Sequence, residues 1–424
     1  MRVRNNLRKL GLARWHVKCA LYYGAAYLWR RVLWRTTFIG ITGSVGKTTA
    51  KECLAAILSS HFATAKTVAN QNDFSGVPLS ILGVRPWHRF AVLEVAASEP
   101  GLVRRSARLL RPDIAVVLAV ARAHTKSLRT LDNIAAEKAE LLAALPARGI
   151  AVLNGDDPRV AAMEVPTGRR MVLFGSDPSF EYRADNVSSR WPERLSFDLH
   201  AGRERRRVRA QLVGAHWKTS VLAAIATSQV CQMELEAAVE AVALVEPTPG
   251  RMQPVSLPCG AVVIRDDFNG SIATLGCAID VLRNAHAERK ILVMSDVIDS
   301  PLSPRDRMAR IGKEVAGFVH SVIFLGRGAD HGVRGAIAGG MPPERVHGFV
   351  NWQQAAEFMK PRLAPGDLVL LRAGRFSEHL DRLYFALCGS VACQKATCEK
   401  RILCDLCPEL GAQPLIQLTS ACVN

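Results

Sequence analysis

Residues Phe38 to Thr49 read FIGITGSVGKTT, and no other stretch narrows so far what this chain can fold into. An apolar run leads into Gly40, Gly43 and Gly46, and then Lys47, Thr48 and Thr49 follow. A buried strand, a glycine-rich turn and a helix in that order make an anion site. The backbone N–H groups of the turn and of the helix N-terminus point at phosphate. Gly43, Ser44, Val45 and Gly46 would form the cradle, Lys47 would place a point charge on the outer phosphates, and Thr48, beside Thr49, would offer a hydroxyl to Mg²⁺. The strict phosphate-loop pattern has four residues between its outer glycines, whereas five separate Gly40 from Gly46 and Ile41 stands at the first-glycine position. The chemical parts are kept, and they imply ATP and Mg²⁺.

The 424 residues are enough for two or three domains with proper cores, and an apolar content of 49% excludes a disordered chain. The net charge of +17 is unevenly spread. Residues 1–36 hold nine lysines and arginines and no acid, interleaved with Trp15, Tyr22, Tyr23, Tyr27, Trp29 and Trp34. About half of the excess lies in this arm, so its expected partner is an anionic membrane surface rather than nucleic acid. The longest uncharged piece, Cys19 to Trp29, falls well short of the ~20 residues that span a bilayer. No small-residue cleavage site follows a longer apolar core, which argues against a secretory signal. The arm suits a helix lying in the headgroup region at the inner face of a membrane, or equally an amphipathic helix packed on the domain behind it. The expected location is cytoplasmic, peripheral to the membrane if the first alternative holds.

Beyond the loop, strand and helix character alternates. Lys51 to Phe62 and Leu131 to Leu145 read as helices, and Phe90–Ala97, Asp113–Ala121 and Ile150–Leu153 as buried parallel strands. This predicts an α/β doubly wound sheet, whose ligands sit at the carboxyl ends of the strands. Glu94 lies within one apolar strand, His124 follows another, and Lys138 sits in an Ala-rich helix. A buried acid or imidazole needs a partner or a metal, although each of the three also has a plain structural reading. Leu195–Leu199 and Val208–Val213 read as antiparallel edge strands, and the arginine-rich run 203–209 as a solvated hairpin rather than a polyanion site. From Pro249 the α/β pattern restarts, with strands at Ala261–Ile264, Lys290–Met294, Ser321–Leu325 and Asp367–Leu371. Six of eleven cysteines crowd between Cys388 and Cys422. Cys393, Cys398, Cys404 and Cys407 could hold Zn²⁺ as four thiolates, the alternative being free thiols; only Cys404-x₂-Cys407 has knuckle spacing.

Taken together, GITGSVGKTT, TVANQNDFSGVP from Thr67, AVLEVAA, Ala123-His124, AEKAE around Lys138, LNGDDP, Gly214-Ala215-His216 and Pro249-Gly250-Arg251-Met252 resemble the Mur ligase family, nearest its D-alanyl-D-alanine-adding branch. The resemblance implies a central ATPase domain over 37–246, a Rossmann-like C-terminal domain over 247–387, and a basic leader and a cysteine tail outside them. It implies an ATP-dependent ligase that joins a carboxylate to an amine through an acyl phosphate. It assigns Lys47, Glu94, His124 and a carbamylated Lys138 to catalysis, with Thr48, Glu94, His124 and Lys138 on Mg²⁺. It assigns Asn70 and Asn72 to substrate, and Arg251, Asp266 and Asn269 to ATP alongside the loop. There are departures: Trp217 stands where an adenine-contacting asparagine is usual, Arg265 replaces the first acid of a pair, Glu99 replaces a histidine, Ser295-Asp296-Val297 replaces a Gly-Asp-Met turn, and Arg372 replaces a lysine. Only 36 residues precede the first strand, where that branch carries a domain for its UDP-linked peptide. A short basic leader before such a core is similar to the layout of poly-γ-glutamate synthetases. The expected substrate is therefore another cell-envelope or polymer-linked carboxylate, joined to an amino acid or peptide amine. A catalytically impaired nucleotide-binding scaffold at a membrane is the alternative.

Overall fold

The computed structural model describes residues 18–68, 71–122, 125–268, 270–374, 379–398, 400 and 402–411. Asn70, His124 and Asn269 lie outside these residues, as does the stretch from 412 onward. The chain divides into two compact units, one built from residues up to 188, 194–211 and 215–246, the other from 189–193, 212–214 and 247 onward.

The first unit holds a nine-stranded sheet. Its strands are β1 (Thr37–Thr42), β2 (Thr64–Lys66), β3 (Phe90–Glu94), β4 (Ile114–Val117), β5 (Ile150–Asn154), β6 (Arg170–Gly175), β7 (Tyr182–Ser188), β8 (Ser196–Ala201) and β9 (Glu204–Arg209). The order is β2-β3-β1-β4-β5-β6-β7-β8-β9. Strands β1 to β6 pair in parallel, and β7-β8-β9 form an antiparallel edge. β3 and β4 are buried along their whole length, as strands covered on both faces must be, which is why they read as apolar runs. In register, Ile41 lies against Glu94 and Thr42 against Val117. The ends of β1, β3 and β4 therefore stand side by side at the start of the glycine turn.

Of the boundaries that differ from the sequence reading, three matter most. The helix after the loop is Lys47–Ser59, starting on the lysine itself. β3 stops at Glu94, which makes that acid the last residue of its strand rather than an interior one. The last edge strand is Glu204–Arg209, so the arginine-rich run is itself the strand. Arg205 and Arg207 both bind Asp198 on β8, and Arg206 binds Glu204 and Glu236. Cross-strand pairing of opposite charges stabilises such an edge. This is the hairpin of the sequence reading.

Residues 18–32 are helical. One face of this helix packs on the first unit. Arg30 donates from Nε to Leu110 O at 2.7 Å and from Nη2 to Arg111 O at 2.9 Å, and Trp29 Nε1 donates to Val84 O. The other face exposes Leu21, Tyr27, Leu28, Val32 and, just beyond the helix, Trp34. Among the described residues no helix is long and apolar enough to cross a membrane.

The second unit holds β10 (Gln253–Ser256), β11 (Val262–Asp266), β12 (Arg289–Met294), β13 (Ser321–Leu325), β14 (Val346–Phe349) and β15 (Asp367–Arg372), in the order β10-β11-β15-β12-β13-β14. All pairs are parallel except β10-β11. The tail belongs to this core: Val391, Cys404 and Leu410 pack with Leu371, Leu383 and Leu387.

Candidate active site

The turn after β1 is shaped by two glycines. Gly46 precedes the helix Lys47–Ser59 at φ +83°, a left-handed conformation that glycine adopts without strain, and a Cβ there would lie 2.6 Å from Ser220 Oγ. A Cβ on Gly43 would press on Leu118 at 3.0 Å. Ser44 ties the turn to the chain after β4: its N–H reaches Ala119 O at 2.8 Å, and its hydroxyl exchanges hydrogen bonds with Ala121 O and N at 2.9 Å. That chain leads to position 124. No acid sits in the first turn of the helix, so its positive end is left for an anion. Lys47 folds back and donates to Gly43 O at 2.7 Å. Thr48 and Thr49 are buried beside it.

Glu94 is fully buried at the end of β3. Its Oε2 accepts from Asn72 Nδ2 at 2.9 Å, so one of the two asparagines expected at the substrate holds this acid. Its Oε1 is buried without a hydrogen-bond partner and stands 3.5 Å from Lys51 Nζ. Lys51 was missed by the sequence reading. It is fully buried one turn after Lys47, donates to Thr67 O at 2.8 Å and pairs with Glu52 at 2.8 Å. A lysine in a helix defaults to solvent, and only its position inside an otherwise apolar stretch hinted at more.

Lys138 is brought to the same place by the helix Leu131–Ala143, which buries it at 2% exposure. Burial pushes its amine well below the ordinary value, the like charge of Lys47 pushes it further, and Glu137 opposes both. Lys47 and Lys138 are thus close enough for their like charges to repel. Glu137 itself has a structural task. Its two oxygens accept from Gly101 N at 2.8 Å and Val103 N at 2.7 Å, capping the helix Leu102–Leu110.

An orphaned carboxylate oxygen and a threonine hydroxyl fit a hard cation such as Mg²⁺, which takes oxygen ligands. A carbamate on Lys138 would add an oxygen to that set.

In the second unit the resemblance-assigned positions are engaged differently. Asp266 is paired with the buried guanidinium of Arg372, which also donates to Ser271 O at 2.9 Å and Thr274 Oγ1 at 2.6 Å. The charge substituted at 372 therefore neutralises the acid expected at the ribose. Arg251 lies over the ring of Phe268. Asp296 grips Arg307 with both oxygens, at 2.7 and 2.6 Å. Arg265 is fully buried and forks onto Asp405 of the tail at 2.7 and 2.8 Å. Its departure from the family pattern is thereby matched by an acid 140 positions later. Trp217 is buried against His216, and its indole N–H lacks a partner.

Comparison with known proteins bears on these arrangements. The Mur ligase middle-domain model matches residues 41–228, and the Mur ligase glutamate ligase domain model matches residues 250–375. The UDP-N-acetylmuramoyl-tripeptide–D-alanyl-D-alanine ligase of Escherichia coli is 31% identical over 312 residues, covering 72% of this chain and 68% of that protein. The chain belongs to the Mur ligase family. The protein of the same description from Mycobacterium tuberculosis is 30% identical over 357 residues, covering 80% and 70%. Among solved Mur ligases, a MurF from Acinetobacter baumannii superposes with a TM-score of 0.80 at 23% identity, over 88% of this chain and 81% of that one. MurF from Thermotoga maritima in complex with ADP gives 0.74 at 24%, over 85% and 82%. These likenesses establish the mixed α/β fold with its two parallel-dominated sheets. Family membership makes the protein an ATP-dependent ligase.

Proposed function

We propose that the protein joins a carboxylate on a cell-envelope or polymer-linked substrate to the amine of an amino acid or peptide. What supports this is the phosphate turn of the first unit: Lys47 folds over it, the like charge of Lys47 reaches the buried Lys138, and Glu94, held by Asn72, ends the neighbouring strand. The substrate carboxylate attacks the terminal phosphorus of ATP and ADP leaves; the amine then attacks the acyl phosphate and phosphate departs. Lys47 and the loop N–H groups balance charge on the transferring group. Mg²⁺, held by Thr48, Glu94, carbamylated Lys138 and His124, would supply Lewis-acid stabilisation. Asn72 orients Glu94, and Lys51 offsets its charge. Arg251, Asp266 and Asn269 would contact ATP. The envelope assignment draws on the printed substrates of the relatives and on the helix 18–32. There Leu21, Leu28 and Val32 are exposed near Lys18, Arg31 and Arg35, a composition suited to anionic lipid. Asp266 being occupied by Arg372 favours a second reading, a nucleotide-binding scaffold.

A phosphate-release screen of amino acids and dipeptides against envelope-derived carboxylates separates the two. Amine-dependent release that vanishes in Lys138→Ala is expected, and basal hydrolysis indifferent to every amine would establish the scaffold. Co-sedimentation with anionic vesicles should fall several-fold in Leu21→Asp/Leu28→Asp; unchanged sedimentation would remove the membrane contact.

A further inference from the structure

The tail gathers metal-ligating atoms that neither the motifs nor the family assignment uses. His379 Nδ1, Asp381 and Cys404 Sγ lie within 4.8 Å of one another, all buried. His379 Nε2 sits 3.0 Å from Lys400 O, which can only accept, so the ring N–H is spent there and, in the neutral ring, Nδ1 presents its lone pair to the cluster. This is the outer-shell arrangement that fixes a metal-binding histidine. Cys404 Sγ is 3.4 Å from Nδ1. Zn–S and Zn–N bonds at tetrahedral angles give an N···S edge of about 3.5 Å. Asp381 Oδ2 accepts from Cys404 N at 2.7 Å, while Oδ1, buried and without a hydrogen-bond partner, stands 3.7 Å from Nδ1. Cys393, Cys398 and Cys407 line, with His379 and Cys404, a cavity of about 10 Å³, room for one water-sized occupant. Lys400 Nζ is 3.8 Å from Cys407 Sγ.

We propose that this cluster is a structural Zn²⁺ site, with His379 Nδ1, Asp381 Oδ1 and Cys404 Sγ of the gathered trio as ligands and Cys407 Sγ, from the lining of the adjoining cavity, drawn in as the fourth. Cys407 follows Cys404 across a one-turn 3₁₀ segment at knuckle spacing. The set differs from four thiolates: a histidine just before the helix Asp381–Cys388 and the aspartate that begins it replace Cys393 and Cys398. Its effect is to clamp the tail onto the second unit. Metal binding would then be part of that unit's folding.

The test is metal content of the full chain, purified under reducing conditions and exposed to zinc, then desalted. One zinc per chain is expected, released by thiol modification. It should be lost in His379→Gln, Cys404→Ser and Cys407→Ser and kept in Cys398→Ser. Should those variants not fold, cobalt loading of the unsubstituted chain decides, since two thiolates, one imidazole and one carboxylate give half the sulfur charge-transfer intensity of four thiolates. A zinc-free wild type overturns the proposal and leaves a hydrogen-bonded thiol. Zinc kept by His379→Gln but lost in Cys398→Ser, or a four-thiolate cobalt spectrum, overturns the ligand set.

Discussion

The phosphate turn of the first unit and the arginine forks of the second treat buried charge in opposite ways. In the second, guanidinium groups are forked onto carboxylates: Arg265 on Asp405, Arg289 on Asp367, Arg307 on Asp296. In the first, at the phosphate turn, Lys138 is buried with its charge suppressed and Glu94 keeps one oxygen unbonded. A buried polar group without its hydrogen bonds costs stability, so it persists where something else selects for it. The contrast separates groups that hold the fold from groups held ready for a ligand.

Four substitutions break or sharpen that contrast. Lys47→Ala should lower ligase turnover by about 10²–10³, the scale of one preorganised electrostatic contact, with little change in the urea midpoint. Turnover near that of the unsubstituted protein would return Lys47 to the fold-holding class. Arg265→Ala should do the reverse. Stranding Asp405 and Asp267 costs about 3–5 kcal/mol, read in urea unfolding of the second unit. An unchanged midpoint there would mean the tail contributes nothing.

Lys138→Met should abolish amine-dependent phosphate release and stabilise the chain. Its folded pKa lies below the ordinary 10.5, so as pH falls from that value the unfolded chain takes up a proton that the folded chain resists, and stability is lost. The methionine variant should therefore gain on the parent at neutral pH, and the gain should shrink toward pH 10.5. The parent's activity should fall as pH drops and the amine protonates, with bicarbonate raising it and a carbamate mass appearing at residue 138. Equal urea midpoints at neutral pH would show that Lys138 is not charge-averse. The smallest effect expected is that of Asn72→Ala, about 1–3 kcal/mol, from leaving Glu94 Oε2 unbonded. Loss of activity beyond the loss of stability would place Asn72 on the substrate as well.

Much of the first unit was legible because its signals are local. A strand, two glycines and Lys47 occupy ten consecutive residues, and Glu94 and Lys138 are charges inside apolar periodicity, visible without coordinates. Lys51 was not legible, since a lysine declares its burial only through Thr67 and Glu94, 16 and 43 positions away. The role of Arg265 depends on Asp405, and the cysteine spacing gave no sign that His379 and Asp381 face Cys404. Ends of strands shifted for a similar reason. Arg205 and Arg207 read as the solvated charges of a hairpin, and only Asp198 on the neighbouring strand fixes them as strand residues.

The bidentate pair between Arg265 and Asp405 also sets a timetable. Arg265 lies on β11, the first parallel strand of its sheet to leave the ribosome, while its main counter-ion is made 140 residues later. A nascent chain that has emerged through β15 has every strand of that sheet yet still carries a guanidinium matched only by Asp267. Closure of the second unit then waits for residue 405, and a chain truncated before it should be more open to proteolysis.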